Sequence, residues 1–352
     1  MDKPLVFLKE HDHEELVYRY DKDTGLRALI AVHNTTLGPA LGGTRLWHYD
    51  STEEAVIDVL RLSEGMTYKA AVAGLNLGGG KSVIMADGRE DDPLVRAERF
   101  EAFGAMVACF DGRYICAEDV GTTTDDMVYI QKHTDNVVGL AGRSGDPSPV
   151  TAYGVLRGIQ ACAAAGLGSD DLNGVRVAVQ GLGKVGLILA ELLIQAGAEV
   201  TGCDVSPDAI QKAQALGVNI VDTDAIYDVP CDIFAPCALG ATINDETIPR
   251  LTASIIAGAA NNQLDDPVRH GQLLHDAGVI YAVDYVINAG GLINVSFELT
   301  GYDRDAARAK TGAIYDTITR MIDISRREGI PTVLAARHIA NEMLNADTMP
   351  AL

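Results

Sequence analysis

Three side chains in the first third of the chain could do chemistry together: Lys69 in GMTYKAA, Lys81 in GLNLGGGKSV and Asp119 in CAEDVGTT. Each also has an ordinary explanation. A lysine is usually a solvated surface group, and an aspartate ahead of a helix can cap it. Yet Lys69 and Lys81 sit among alanine and glycine, in the least polar part of that region. A lysine brought near another cation and partly dried loses affinity for its proton, which makes it a usable general base near neutral pH. The glycines before Lys81 suggest a phosphate loop instead, but their spacing fails. A G-x-x-x-x-G-K-[ST] loop needs glycine where this chain has Leu75, and Gly74 is one residue too far away.

Phosphate chemistry belongs to a later stretch, VRVAVQGLGKVGLILAELL. Gly181, Gly183 and Gly186 form G-x-G-x-x-G after an apolar strand and before a helix, with Leu182, Lys184 and Val185 between them. The first glycine permits a tight turn, the second lets backbone approach a pyrophosphate, and the third allows close helix–strand packing. The helix start supplies N–H donors to the anion. The next strand ends in Asp204, an acid placed to bond both ribose hydroxyls of NAD and to repel the 2′-phosphate of NADP. No arginine follows at 205–209 to favour that phosphate, so NAD is the expected cofactor.

These groups need a scaffold of two domains, which is the prior for 352 residues. Residues 26–33 read as a strand, GPALGGTR as a glycine-rich turn, 52–68 and 94–110 as helices, and 113–117 as a short strand. SGDPSPV at 144–150 reads as a linker. Beyond it strands and helices alternate, which argues for a parallel sheet covered on both faces. The expected fold is therefore α/β. An N-terminal α/β domain that carries the candidate substrate and catalytic residues spans 1–147, and a Rossmann-type doubly wound dinucleotide-binding domain spans 148–325. A helical tail, 326–352, should pack back toward the first domain.

The net charge of -21 argues against nucleic acid or an anionic membrane as partner. No apolar run is long enough to span a bilayer, and the N-terminus lacks a secretory pattern. Six scattered cysteines, with no C-x-x-C pair, read as small buried hydrophobes in a reducing, cytoplasmic setting rather than as a metal site.

Eight segments carry a resemblance: GPALGGTR, LRLSEGMTYKAAVAGLNLGGGKSVI, AEDVGTT, GDPSPVTAYGV, VAVQGLGKVG, DIFAPCALGATIN, IIAGAANNQL and DYVINAGGLINV. Spanning residues 38 to 300 almost without a break, they make the chain resemble the superfamily of glutamate, leucine, valine and phenylalanine dehydrogenases, and most of all its leucine subgroup. That resemblance implies oxidative deamination of an L-amino acid by a homo-oligomer acting on small molecules. It implies that Lys69 binds the α-carboxylate, that Lys81 activates water and handles protons, and that Asp119 shuttles a proton to and from the amino nitrogen. Thr151, Ala238, and Asn261 or Asn262 would lie at the cofactor, with Asn288 near nicotinamide and substrate. The glycines before Lys81 would then be small so that substrate can come close. Glutamate dehydrogenases carry a lysine where this chain has Leu41, beside Gly42, and a serine where it has Val295. With Leu41, Ala117, Leu292 and Val295 lining the pocket, a glutamate side chain would bury an unpaired charge at a cost of several kcal/mol. Branched-chain substrates are expected. Phenylalanine is the alternative, and a catalytically silent NAD-binding protein the remote one.

Overall fold

The computed structural model describes residues 3–140 and 143–346, so the end of the expected tail, 347–352, lies outside the described residues. The chain forms two compact units. The first holds the chain up to Gly145, Val295–Tyr302 and the segment from Ala340; the second holds Asp146–Asn294 and Asp303–Ile339. Residues 295–302, read as part of the dinucleotide domain, thus lie in the first unit, and 326–339, read as tail, lie in the second.

In the first unit the elements run α1 (Lys3–Glu10), β1 (Glu15–Tyr20), β2 (Arg27–Asn34), β3 (Ala40–Trp47), α2 (Thr52–Val72), β4 (Gly78–Met85), α3 (Pro93–Ala108), β5 (Tyr114–Glu118) and α4 (Thr124–Gln131). The sheet order is β1-β2-β4-β3-β5, with β1 and β2 antiparallel to their neighbours and β3 parallel to both β4 and β5. Two sequence expectations change here. GPALGGTR is not a turn, since its last six residues begin β3, and GGGKSV is not a loop but the start of β4. Every residue of β4 is buried, because helices cover both faces of the sheet. Helix α2 starts where Ser51 accepts a hydrogen bond from the Glu54 N–H, and Glu53 and Glu54 favour its positive end. Its Ala55, Val56, Val59 and Leu60 recur at helical spacing and pack on Leu29, Ala31, Val83 and Met85. Phe100, Phe103, Met106 and Val107 of α3 fill the opposite face against Ile30, Val32 and Ile84. Each such Val, Leu, Ile, Phe or Met side chain contributes roughly 1.5–3 kcal/mol by leaving water.

The second unit follows with α5 (Ser148–Leu167), β6 (Arg176–Gln180), α6 (Lys184–Gln195), β7 (Glu199–Cys203), α7 (Pro207–Ala215), β8 (Asn219–Ile220), β9 (Ile233–Pro236), β10 (Ile255–Ile256), α8 (Pro267–Asp276), β11 (Ile280–Tyr281) and α9 (Asp284–Ile287). Helix α10 (Gly290–Ser296), α11 (Arg304–Gly312), α12 (Ile314–Glu328) and α13 (Thr332–Ala346) complete the chain. The sheet is all parallel in the order β11-β10-β9-β6-β7-β8, the doubly wound arrangement expected. Its strand order reverses between β6 and β9, the place where such sheets bind ligands beyond the strand ends. Among the described residues no helix is long and apolar enough to cross a membrane, and no group of three or more His, Cys, Asp or Glu could hold a metal. Cys109 corrects the reading of the cysteines as buried: it is exposed and accepts a hydrogen bond from Arg19.

A histidine pair makes the first unit acid-sensitive. His33, at the end of β2, donates from Nε2 to the His11 carbonyl (3.1 Å) and meets the Thr67 hydroxyl at Nδ1 (2.7 Å). Burial, then the neighbouring His13, lowers its pKa from 6.5 to about 4, while burial also lowers that of His13. The unfolded chain therefore binds protons that the folded chain refuses. Stability is complete above pH 6.5 and falls as the pH drops toward 4, by about 3 kcal/mol from His33. Thermal melts across that window should show the loss, and His33→Gln should flatten it.

Candidate active site

Lys81 stands in the middle of β4, 6% exposed. A Cβ on Gly79, two residues earlier and so on the same face, would meet Thr67 of α2 at 2.1 Å. Lys81 thus rises from the sheet on the side covered by α2. Its Nζ lies 2.6 Å from Asp119 Oδ2, just past the end of β5. β3 runs between β4 and β5, and its Gly43 leaves the space that the pair needs. A Cβ there would come within 2.7 Å of the Asp119 Cβ. Asp119 caps no helix: Thr123 and Asp126 form the capping box of α4. Instead the Asp119 N–H donates to Thr122 Oγ1 (2.9 Å), whose hydroxyl reaches the Thr44 carbonyl (3.0 Å). Burial by itself pushes the Asp119 carboxyl up, but the charge and hydrogen bond of Lys81, with Arg45 beside them, hold it below the usual carboxylate range.

The three glycines ahead of Lys81 face protein rather than an open cradle. Cβ atoms on Gly78 and Gly79 would strike the Asn34 carbonyl oxygen and Thr67, both at 2.1 Å, and one on Gly80 would strike the Tyr114 ring at 2.7 Å. They are small so that β4 can lie against its neighbours, which corrects the expectation that they make room for substrate. Gly42 is equally constrained, with a Cβ position 1.7 Å from the Gly80 carbonyl oxygen, and its own carbonyl accepts from the Tyr114 hydroxyl at 2.8 Å. Leu41 and Ala117 are buried on the adjacent strands β3 and β5. Lys69 is half-buried in the last turn of α2, two residues after Thr67. Val295 belongs to this first unit and is partly buried.

Arg45 and its partners escaped the sequence reading. Its Nε lies 3.3 Å from Asp119 Oδ2, its Nη1 lies 3.0 Å from Asp58 Oδ2, and the Tyr49 hydroxyl donates to that same Asp58 oxygen at 2.6 Å. The available signal was alternation along β3, which puts Arg45 on the face of Gly43.

In the second unit the dinucleotide fingerprint sits at the switch point. Gly181 follows β6 with φ +94°, a value that favours glycine, and a Cβ on it would press on Ala238 beyond β9 at 2.7 Å. A Cβ on Gly186 would meet the Gly181 carbonyl oxygen at 1.9 Å, whereas one on Gly183 would meet nothing within 4 Å. Gly183 is also the N-cap of α6 and supplies no side-chain cap, so the first N–H groups of that helix remain available to an anion. Lys184 opens α6, and its charge helps hold the Asp146 carboxyl below the usual range, after burial and the opposing Ser148 hydrogen bonds. Leu182 is buried, so only its backbone takes part; its N–H donates to Asp204 Oδ2 at 2.7 Å. Val185 is partly buried on the first turn of the same helix.

Asn288 is 6% exposed, and its Nδ2 donates to the Ala259 carbonyl (3.1 Å) and to Asn261 Oδ1 (2.7 Å). Both partners are acceptors, which fixes the amide orientation and leaves the buried Oδ1 without a hydrogen-bond partner. Asn261 therefore joins Asn288 through its side chain, while Asn262, at φ +50°, is held through its backbone N–H by Asp284. Thr151 lies in the first turn of α5 and donates to the Pro147 carbonyl at 3.0 Å. Cβ atoms on Gly290 and Gly291 would meet Val150 and Thr151, so the two glycines bring α10, with the buried Leu292, close to that turn.

Two family models match this chain: "Glu/Leu/Phe/Val dehydrogenase, dimerisation domain" over residues 13–136, and "Glutamate/Leucine/Phenylalanine/Valine dehydrogenase" over 142–223 and 207–323. It is 53% identical to the leucine dehydrogenase of Bacillus cereus over 342 residues, 96% of this chain and 92% of that protein. It is 46% identical to the phenylalanine dehydrogenase of Lysinibacillus sphaericus, over 94% of this chain and 88% of that one. The crystal structure of L-tryptophan dehydrogenase from Nostoc punctiforme superposes with a TM-score of 0.86 at 42% identity, covering 98% of this chain and 99% of that one.

Proposed function

The chain belongs to the Glu/Leu/Phe/Val dehydrogenase family, and from that premise we propose that it catalyses the NAD-dependent, reversible oxidative deamination of branched-chain L-amino acids to 2-oxo acid, ammonium and NADH. The observation that carries the chemistry is the Lys81–Asp119 pair, a cation and an anion 2.6 Å apart, with Lys81 buried in the middle of the sheet. In this reading the first unit binds and converts the substrate and the second holds the dinucleotide.

Lys69 binds the α-carboxylate. Asp119, held anionic, takes a proton from the substrate ammonium and exposes the amine lone pair. Loss of the Cα hydride and of an N–H proton leaves the substrate imine; Lys81, once its own proton has passed to solvent, draws a proton from the water that adds to that imine and returns it as ammonium leaves. Gly181, Gly183, Gly186, Asp204, Thr151, Ala238 and Asn261 hold the dinucleotide, with Asn288 beside nicotinamide and substrate. The open position at Gly183 and the unpaired Asn288 oxygen fit a pyrophosphate and an N–H donor respectively. Bound there, NAD supplies the hydride acceptor. Leu41, Ala117 and Val295 of the first unit and Leu292 of the second all have apolar side chains, and none could pair a substrate charge, which supports leucine, valine and isoleucine over glutamate. The dimerisation-domain match supports a homo-oligomer, and six unpaired thiols suit a reducing cytoplasm.

Purified protein given L-leucine and NAD should release ammonium, 2-oxo acid and NADH in equal amounts. NADH formed without ammonium would sink the reading. Asp204 supplies a second test. Replacing it with alanine removes both the ribose acceptor and the anchor of the Leu182 N–H, and should lower the NAD-to-NADP preference in kcat/KM by about tenfold or more. An unchanged ratio would place cofactor choice elsewhere.

A further inference from the structure

We propose that Arg45 is a positioning residue for Asp119: a fork that ties the shuttling carboxylate to helix α2 through Asp58 and fixes the direction in which it faces Lys81. This rests on the reading of Asp119 as the proton shuttle.

The geometry is directional. Arg45 stands next to Thr44, which pairs with Glu118 on β5, so its stem starts beside the turn that carries Asp119. One edge of its guanidinium meets Asp119 Oδ2 at 3.3 Å, and a second nitrogen meets Asp58 Oδ2 at 3.0 Å. Asp58 is itself pinned by the Tyr49 hydroxyl at 2.6 Å. Burial, then the hydrogen bond to Asp58, pushes the Tyr49 phenol far above its ordinary range, so it stays a neutral donor. Burial alone would lower the Arg45 pKa, but Asp119 and Asp58 raise it above the ordinary value, so the fork is permanently charged. A guanidinium can serve two carboxylates in two directions at once, which a lysine ammonium on the same stem does less well. Lys81 and Arg45 thus meet on one oxygen of Asp119. Arginine keeps its proton, so Arg45 can hold that oxygen but cannot exchange a proton with it.

The charged groups that face Asp119 are Lys81 from β4 and Arg45 from β3, with Asp58 and Tyr49 behind Arg45; Tyr114 of β5 lies on the other face of the sheet, bonded to Gly42 and Ser82. Of the two cations on Asp119, Arg45 is the one that can be neutralised without removing a proposed reacting group. Losing it removes one of the two cations that hold the Asp119 carboxyl down, so protonation of Asp119 moves to higher pH.

The test compares Arg45→Gln, Arg45→Lys, Asp58→Asn and Asp119→Asn as full-length enzyme, with thermal melts and NAD affinity confirming the fold. Arg45→Gln should lower kcat by roughly 10–100-fold with less change in KM, and move the acid limb of the pH–rate profile up by about one unit. Arg45→Lys should return that limb toward its original pH while kcat stays depressed, separating charge from aim. If Arg45→Gln fails to fold, Asp58→Asn, which frees the far end of the fork, should still lower kcat a few-fold. A folded Arg45→Gln enzyme with unchanged kcat and pH profile, beside an inactive Asp119→Asn, would overturn the positioning role alone. Full activity in Asp119→Asn would instead overturn the reading beneath it.

Discussion

Lys81→Ala should abolish deamination almost completely, lowering kcat by roughly 10³–10⁴-fold, while NAD affinity stays within about twofold. The size follows from what the ammonium does. Of the two cations bonded to the Asp119 carboxylate, it is the one able to exchange a proton, and its removal leaves a largely buried carboxylate facing arginine. Loss of its charge also removes a principal reason that the Asp119 carboxyl lies low, so the remaining acid holds its proton to higher pH, which in the proposed mechanism makes it a poor proton shuttle. The fingerprint Gly181–Gly186 belongs to the second unit and keeps its geometry, so cofactor titration should be nearly unaffected. Lys81→Arg should rescue little, because guanidinium does not give up a proton at working pH. Steady-state rates and fluorescence titration with NADH separate the two effects. A parallel loss of cofactor affinity would mean that the fold, not the chemistry, had been damaged.

Gly42→Ala should damage the first unit severely, although it adds only one methyl. The added Cβ would sit 1.7 Å from the Gly80 carbonyl oxygen, an overlap with backbone that no side-chain rotation relieves. β3 and β4 would have to part where their pairing runs from Leu41 and Gly79 to Thr44 and Ser82. The same shift would pull the Gly42 carbonyl from the buried Tyr114 hydroxyl. Overpacking and a strained buried hydrogen bond together predict a loss of about 3–5 kcal/mol, read as a drop in Tm or in the denaturant midpoint. Activity should fall with it, since Lys81 follows Gly80 directly. A stable, active Gly42→Ala protein would show that the two strands can part without loss.

The two glycine-rich segments of the first unit also mark where sequence reading stopped short. Glycine clusters read as turns because glycine weakens strands by entropy and leaves no side chain to pack. In GPALGGTR and GGGKSV that local preference is overridden by the close approach of Thr67, Tyr114 and neighbouring backbone, contacts between residues far apart in the chain. The dinucleotide loop was legible because its geometry is local: strand, positive-φ glycine, helix start. The Lys81–Asp119 pair was legible as residue types, but its 2.6 Å contact depends on β3 lying between β4 and β5 with glycine at position 43. Arg45 escaped for a different reason: alternation gives its face but not what covers that face. A charged residue alternating outward on a strand reads as solvent-facing, and only the packing of α2, with Asp58, turns it inward. The anchoring of Asp204 to the Leu182 N–H was equally out of reach, since it joins the ends of two parallel strands.

Branched-chain deamination is tested most directly by the initial rate of NADH formation, with saturating NAD, over leucine, valine, isoleucine, phenylalanine and glutamate. The three branched aliphatic amino acids should be oxidised fastest, and glutamate should be turned over least. Faster turnover of phenylalanine or glutamate than of any aliphatic substrate would contradict the proposed function.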